Sequence, residues 1–508
     1  MEFVMHIAYD IKNGIEYAKV CVSTRDGKDV HKDRKNLGRV LDKEHGIFHS
    51  RERGVFTYDL ATNTYGKAPD EFVPPTTSKK ESLILDFGDV FFLDRFMKEK
   101  GMSVPIDAIG YGNPDTLYAM ISYYTVCSMA NCHALSWWEG SYARILYPKA
   151  NLTSQRISDF LAAIGDEYSQ REFFQGYFKL LDRTCVDLEN VLIDSTGLPN
   201  SIHFPLTAVS NHNGEISNEV RLIYVVHQKT GLPIYFRYCA GNIIDATTLI
   251  RCLEELNAQG VNVNHAILDA GYYTDGNIRE FFERKISFVT RMKENRTLYK
   301  ELVAAHLDTL DAKENLVEYN GRYVYLKCVP CELEGYSAYS YIGLDIARKS
   351  SESRQTFQRA KDKKMNTNQV FDAMQKQGLF ILVSSRRIAK GKILPLYYTR
   401  QQIEQIFDVG KNYADMLPVR VHSEETFRGH LLLTFIATVV IKQIQDTLSE
   451  SSTTPISLLL DLRNHKCKVF GDKIITHEAF KKANDCYKLF KMQCPVVIPR
   501  SSICGQNF

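Results

Sequence analysis

Tryptophan is nearly missing from this chain: 508 residues hold two, side by side at Trp137 and Trp138. Their adjacency reads as core or interdomain packing rather than as a base-stacking platform. No apolar run reaches the ~20 residues that span a bilayer. The longest, Leu431 to Ile441, contains two threonines and stops at Lys442, so it reads as a buried helix. The first residues, Met1-Glu2-Phe3-Val4-Met5-His6, lack a basic segment followed by an apolar one, which argues against a signal peptide. The expectation is a soluble, cytoplasmic protein with no membrane partner. An excess of one charge is also missing. Lys and Arg total 63 against 60 Asp and Glu, a net of +3, so any contact with nucleic acid must rest on local charge. The 12 cysteines follow no regular spacing, which suits a reduced intracellular protein and not a disulfide scaffold.

Several familiar chemistries are excluded in the same way. Cys328-Val329-Pro330-Cys331 is a lone pair of thiols, and a structural zinc site needs a second pair. Gly110-Tyr111-Gly112-Asn113-Pro114-Asp115 has Asp where a dinucleotide loop needs its third glycine. His212, His422 and His430 have no metal-ligand spacing. There is no P-loop, no nucleophile elbow and no His-Glu-x-x-His.

What is present is enough apolar residue, 44%, to build several cores, and the length suggests about three or four domains. Residues 1–65 lean towards β-structure and carry a basic cluster at Lys32, Arg34, Lys35 and Arg39. Residues 66–83, with Pro69, Pro74 and Pro75, have the composition of a linker. Residues 84–183 show helical periodicity, as in Leu117 to Ala130 and Ile157 to Ile164. From 184 to 450 the texture is α/β: the strand Asn190 to Ile193, a hairpin of Val220 to Val226 and Leu232 to Tyr238, a helix from Ala246, the strand Ala266 to Leu268, a helix, and the strand Ile286 to Thr290. Residues 295–375 interrupt that rhythm and read as an inserted, mostly β subdomain with a charged patch from Lys349 to Lys364. The strand Leu379 to Val383 follows, then a helix starting near Pro395. From 452 on, nine Lys and Arg face four Asp and Glu, so 451–508 forms a basic C-terminal region.

Two patterns carry chemistry. Tyr397, Arg400, Glu404 and Lys411 are offset by 0, 3, 7 and 14, which on one helix places them within an arc of about 60° at roughly 100° per residue. Leu396, Ile403, Ile406 and Phe407 take the neighbouring arc. A phenol, two cations and a carboxylate beside a buried face can reach phosphates and a metal ion, although i,i+4 ion pairing on a solvated face gives the same pattern. Secondly, Asp194 and Asp269 each end an apolar strand. In open α/β sheets ligands bind beyond the carboxyl ends of strands, and carboxylates there suit hard cations; capping a turn or helix is the plainer role. Asp245 and Asp275 read as helix N-terminal residues. Three acids on an α/β sheet point to two-metal phosphoryl transfer.

With Tyr397-x2-Arg400-x3-Glu404-x6-Lys411, the acids Asp194, Asp269 and Glu404 resemble the Asp-Asp-Glu (DDE) transposases of bacterial insertion sequences, in the subgroup with the Tyr-Arg-Glu-Lys (YREK) signature. The likeness extends through Gly241 to Leu249, Asp269 to Tyr273 and Arg428 to Leu431, and spans about 185–445. Ala270 departs from it, since a larger and often basic residue is more usual there. The resemblance implies an RNase H-like catalytic core with a β-rich insertion before the Glu. It implies two Mg²⁺ (or Mn²⁺) on Asp194, Asp269 and Glu404, and DNA contacts from Arg400, Lys411 and Tyr397. The implied reaction is metal-dependent cleavage at the ends of an insertion sequence, then strand transfer to target DNA, by a homodimer that pairs two double-stranded ends. Local charge makes the helical region 84–183, the patch Lys349 to Lys364 and the basic C-terminal region candidates for DNA binding, with 84–183 the expected DNA-binding region. Two alternatives are a catalytically inactive DNA-binding relative and a carboxylate-pair hydrolase such as a glycosidase; the second leaves Arg400 and Lys411 without a role.

Overall fold

The computed structural model describes residues 2–12, 15–26, 29–50, 53–69, 83–184, 186–200, 206–210, 216–363 and 366–504. Most of the linker read at 66–83 falls outside them. The chain divides into two compact units, Met1–Leu83 and Ile84–Phe508.

The first unit is an antiparallel meander of six strands: β1 (Glu2–Lys12), β2 (Ile15–Asp26), β3 (Asp29–Asp42), β4 (Ile47–Ser50), β5 (Gly54–Asp59) and β6 (Thr64–Lys67). Its core follows the two-residue period of a strand: Ala18 and Val20 from β2, Phe56 and Tyr58 from β5, with Leu37 and Phe48. Gly38 sits in β3 with φ +89°, opposite a register shift in β2. A Cβ there would stand 2.2 Å from the His49 carbonyl oxygen, so only glycine fits.

The second unit opens with β7 (Leu83–Asp86) and seven helices: α1 (Gly88–Glu99), α2 (Ser103–Ala108), α3 (Pro114–Val126), α4 (Ala134–Gly140), α5 (Ala143–Leu146), α6 (Ser154–Ile164) and α7 (Glu167–Arg183). Asn113 caps α3 through the Thr116 amide, with Pro114 in the first turn. Both tryptophans are packed within this region: Trp137 against Tyr123, and Trp138 donating to the Tyr147 carbonyl at 3.1 Å.

Then comes the large mixed sheet. Its elements are β8 (Asn190–Pro199), β9 (Ala208–Ser210), β10 (Ser217–His227), β11 (Pro233–Ala240), α8 (Asp245–Ala258), β12 (His265–Leu268), α9 (Asp275–Glu283), β13 (Ser287–Arg291), α10 (Thr297–His306), β14 (Leu316–Tyr319), β15 (Arg322–Leu333), β16 (Tyr336–Asp345), α11 (Ile346–Lys363), α12 (Thr367–Gln375) and β17 (Leu379–Ser384). The spatial order is β11-β10-β8-β12-β13-β17-β16-β15-β14, with β9 beside β10. The strands β8, β12 and β13 are parallel, and Val191, Leu192, Ile193, Ala266, Ile267, Phe288 and Val289 are all essentially buried. Such unbroken apolar runs belong to strands covered on both faces.

Residues 295–375 are not a mostly β subdomain. Helices α10, α11 and α12 share the segment with β14–β16, and those strands are not separate. The fully buried strand β17 pairs with β13 on one side and β16 on the other, so the segment extends the main sheet. As far as Lys363 the charged patch is part of the helix α11, begun by Asp345, whose carboxylate accepts the Arg348 amide at 3.0 Å.

Three helices follow: α13 (Lys390–Tyr398), α14 (Gln401–Tyr413) and α15 (Glu424–Thr447). Among the described residues α15 alone is long and apolar enough to cross a membrane, and 83% of that stretch is buried inside the protein. It crosses α6 at backbone contact. A Cβ on Gly429 would lie 2.0 Å from the Leu161 oxygen, and one on Gly165 2.1 Å from the Glu425 oxygen. Beside that crossing, the Tyr124 hydroxyl and His430 Nδ1 are 2.9 Å apart in a buried pair.

The basic C-terminal stretch folds back as α16 (Pro455–Arg463), β18 (Lys466–Val469), β19 (Lys473–Thr476), α17 (Lys481–Leu489), β20 (Val497–Pro499) and α18 (Arg500–Cys504). It makes the sheet β20-β19-β18-β7 with the strand that opens the unit. Arg463 closes the seam by donating to buried Asp89 at 2.7 Å.

Candidate active site

Ile193 of β8 lies opposite Leu268 of β12 in parallel register. The next residues are Asp194 and Asp269, so the two acids stand side by side at the carboxyl end of the parallel strands. β12 stops there. β8 does not: it runs on to Pro199 because β10 pairs with it antiparallel along that whole length. Asp194 is therefore inside a strand, contrary to the expectation that it ends one.

The signature residues are not on one helix either. Pro395 lies inside α13, whose start is Lys390, and the helix ends at Tyr398. Thr399 and Arg400 form a tight turn bonded from Gln402 N–H to Thr399 O and from Ile403 N–H to Arg400 O, at 2.9 and 3.0 Å. α14 then carries Glu404 and Lys411. Tyr397 is thus on the helix before the turn, and Glu404 and Lys411 on the one after it. Tyr397 is 4% exposed, so its phenol is a wall of the site and faces no bulk solvent. Burial raises the Tyr397 pKa, with Arg400 opposing.

Arg400 joins the acids. Its Nη2 lies 3.2 Å from Asp194 Oδ2, 3.6 Å from Asp269 Oδ1 and 3.2 Å from Glu404 Oε1. Side chains from three separate segments thus converge on one nitrogen. Asp194 is the most enclosed of the acids, and burial, helped by the Asp269 charge, lifts its pKa to about 6 against the pull of Arg400 and the Ser195 N–H. Burial also works against the charge on Arg400, but Asp269, Asp194 and Glu404 outweigh it and hold the guanidinium firmly protonated.

Lys411 points elsewhere. Its Nζ donates to Thr196 Oγ1 at 2.6 Å, two residues beyond Asp194. Burial lowers its pKa, while Glu219 and Asp408 partly restore it. Glu219 is 2% exposed and occupies space that a side chain at Gly197 would fill. Behind the acids, Arg221 of β10 donates to Asp245 at 2.6 Å, and Ser195 Oγ donates to the same oxygen at 2.5 Å. This buried polar layer escaped the sequence reading. In β10, Glu219 and Arg221 alternate with Val220 and Leu222, which is the pattern of a strand with one wet face. Asp245 and Asp275 are the first residues of α8 and α9.

Among the described residues, no three His, Cys, Asp or Glu side chains are gathered closely enough to form a metal site as they stand. Cys328 and Cys331 are free thiols on β15. The three acids nevertheless fit a divalent cation. They offer only oxygen, the donor of choice for Mg²⁺ or Mn²⁺, and they already surround a positive charge, that of Arg400.

Residues 188–440 match the family model for the Transposase DDE domain. That interval holds Asp194, Asp269, Tyr397, Arg400, Glu404 and Lys411. The matched DDE region takes in the main sheet and most of α15. Among solved structures, the cryo-EM piggyBac transposase synaptic complex with hairpin DNA is similar over 77% of this chain and 81% of that one, at 11% identity and a TM-score of 0.38. No curated protein matches.

Proposed function

We propose that this chain is a metal-dependent DNA transposase that cuts strands at the ends of a bacterial insertion sequence and transfers them to target DNA. The observation that carries the reading is the convergence of Asp194, Asp269 and Glu404 on one guanidinium nitrogen, within a region matching the Transposase DDE domain. The strand order β11-β10-β8-β12-β13, antiparallel and then parallel, supports an RNase H-like reading of the core.

In this reading Asp194, Asp269 and Glu404 hold two Mg²⁺ or Mn²⁺ ions. When bound, such a pair activates a water or 3′-hydroxyl and stabilises the leaving oxygen. The protein's own part is electrostatic. Without bound cations, Arg400 keeps three mutually repelling carboxylates together. Once their charge is met otherwise, its planar guanidinium is free for a phosphate, a geometry that a lysine ammonium does not reproduce. Lys411, farther along α14, supplies a second cation. Tyr397 shapes the wall and reaches the DNA terminus only if the site opens. The chain acts as a homodimer on paired double-stranded ends, in the cytoplasm on the nucleoid, with helices α1–α7 reading the end sequence.

The test is a cleavage assay on labelled duplex carrying the element's terminal inverted repeats. Nicks at the repeat boundary are expected with Mg²⁺ and none with excess chelator. Cutting that survives the chelator would overturn the metal mechanism.

A further inference from the structure

We infer that Asp245 is a positioning residue: clamped by Arg221, its carboxylate fixes the separation of Asp194 and Asp269 and so sets the affinity of the site for divalent ions. The inference rests on the metal-dependent reading above and adds a residue to it.

Asp245 touches the chain next to both acids. On one side its Oδ1 accepts from Ser195 Oγ at 2.5 Å, and the Ser195 amide donates to Asp194 Oδ1 at 2.9 Å. On the other side, a Cβ on Gly271, two residues after Asp269, would lie 3.2 Å from Asp245 Oδ2. The carboxylate is thus wedged between β8 and the turn that follows β12. Tyr272 of that turn is 1% exposed and sits close to Ser195, Asp245 and Asp194; burial and the charges of Asp245 and Asp194 raise its pKa, against the Ser195 hydroxyl. Asn277 locks the same turn to the start of α8, donating to Tyr272 O at 2.9 Å and Ala246 O at 2.8 Å.

Asp245 itself cannot drift. Arg221 Nη1 binds its Oδ1 at 2.6 Å, while Nη2 donates to Gly241 O at 3.2 Å and Ser210 Oγ at 3.4 Å. Arg221 is 4% exposed, and Glu219 Oε1 lies 3.8 Å from Nη2. With two donors on Oδ1, Asp245 is held in place as a brace for the acids. Groups that orient metal-holding side chains commonly change metal affinity about 10–100-fold when removed.

The experiment is a titration of the full-length protein with Mn²⁺ alone, reading free ion by electron paramagnetic resonance, with melting temperature measured in parallel. Ser195→Ala and Asp245→Asn should each weaken Mn²⁺ binding by about tenfold or more. Ser195→Thr, which keeps the hydroxyl, should bind within about threefold of wild type, and Ser195→Ala should melt with wild type. Should Asp245→Asn not fold, the Ser195 pair decides. Wild-type affinity in Ser195→Ala would overturn the brace while leaving the metal reading intact. Absence of Mn²⁺ binding by the wild type would overturn both.

Discussion

Arg400 donates to Asp194 at 3.2 Å across 206 positions of sequence, and the same nitrogen is shared with Asp269 and Glu404. One guanidinium therefore offsets the repulsion of three carboxylates, and the electrostatics of the site turn on it.

Replacing Arg400 with Gln should destabilise the protein by about 1–3 kcal/mol in metal-free buffer, because the enclosed Asp194 loses its counter-charge. Millimolar Mn²⁺ should recover most of the loss. Melting temperatures of both proteins with and without Mn²⁺ check this; a deficit that Mn²⁺ leaves untouched would mean the acids do not share a cation.

Metal binding should fall as pH drops through about 6, the pKa to which burial lifts Asp194 from 3.8. The sign for stability is the reverse of the usual carboxylate. Between about pH 6 and 4 the folded chain keeps a proton that the unfolded chain has released, so this group's contribution improves as pH falls across that window. Mn²⁺ affinity from pH 5 to 8 should follow one proton, and Asp194→Asn should abolish both the binding and its pH dependence.

Lys411→Met should cost no stability, a change between zero and a gain of about 1 kcal/mol in chemical denaturation, since burial already disfavours the ammonium. Strand cleavage should nevertheless fall at least about tenfold if this cation serves the reaction. Unaltered cleavage would remove Lys411 from the site.

Gly429→Ala should cost about 3 kcal/mol or prevent folding, because its Cβ would strike the Leu161 carbonyl at the α6–α15 crossing. Gly391→Ala, in α13 with open space around it, should be neutral or stabilising by up to about 1 kcal/mol. Equal melting temperatures for the two would mean that the crossing is not as tight as drawn.

Some of this arrangement was readable from the residues. The apolar runs before Asp194 and Asp269 mark the parallel strands that set the two acids side by side, although β8 runs on past Asp194, and Glu404 and Lys411 share a helix as their spacing indicates. Less was readable where the partner is distant. Lys466–Val469 and Lys473–Thr476 are four-residue strands that pair with each other, and the far neighbour of the first, Leu83–Asp86, lies almost four hundred positions away, so their charge suggested a tail. The strands of 316–345 looked like a separate body because only β17, which follows them, ties them to the main sheet. The turn at Thr399 and Arg400 hid behind unbroken helical periodicity. Arg221 hid behind strand alternation, which does not say that both faces of β10 are covered.

The central claim, that Asp194, Asp269 and Glu404 hold a divalent ion together, is tested most directly by localised backbone cleavage. Fe²⁺ with ascorbate, taking the place of Mg²⁺, should cut the chain near residues 194, 269 and 404, and excess Mg²⁺ should suppress all three cuts in parallel. Cuts confined to other segments, or cuts near these acids that Mg²⁺ fails to suppress, would contradict it.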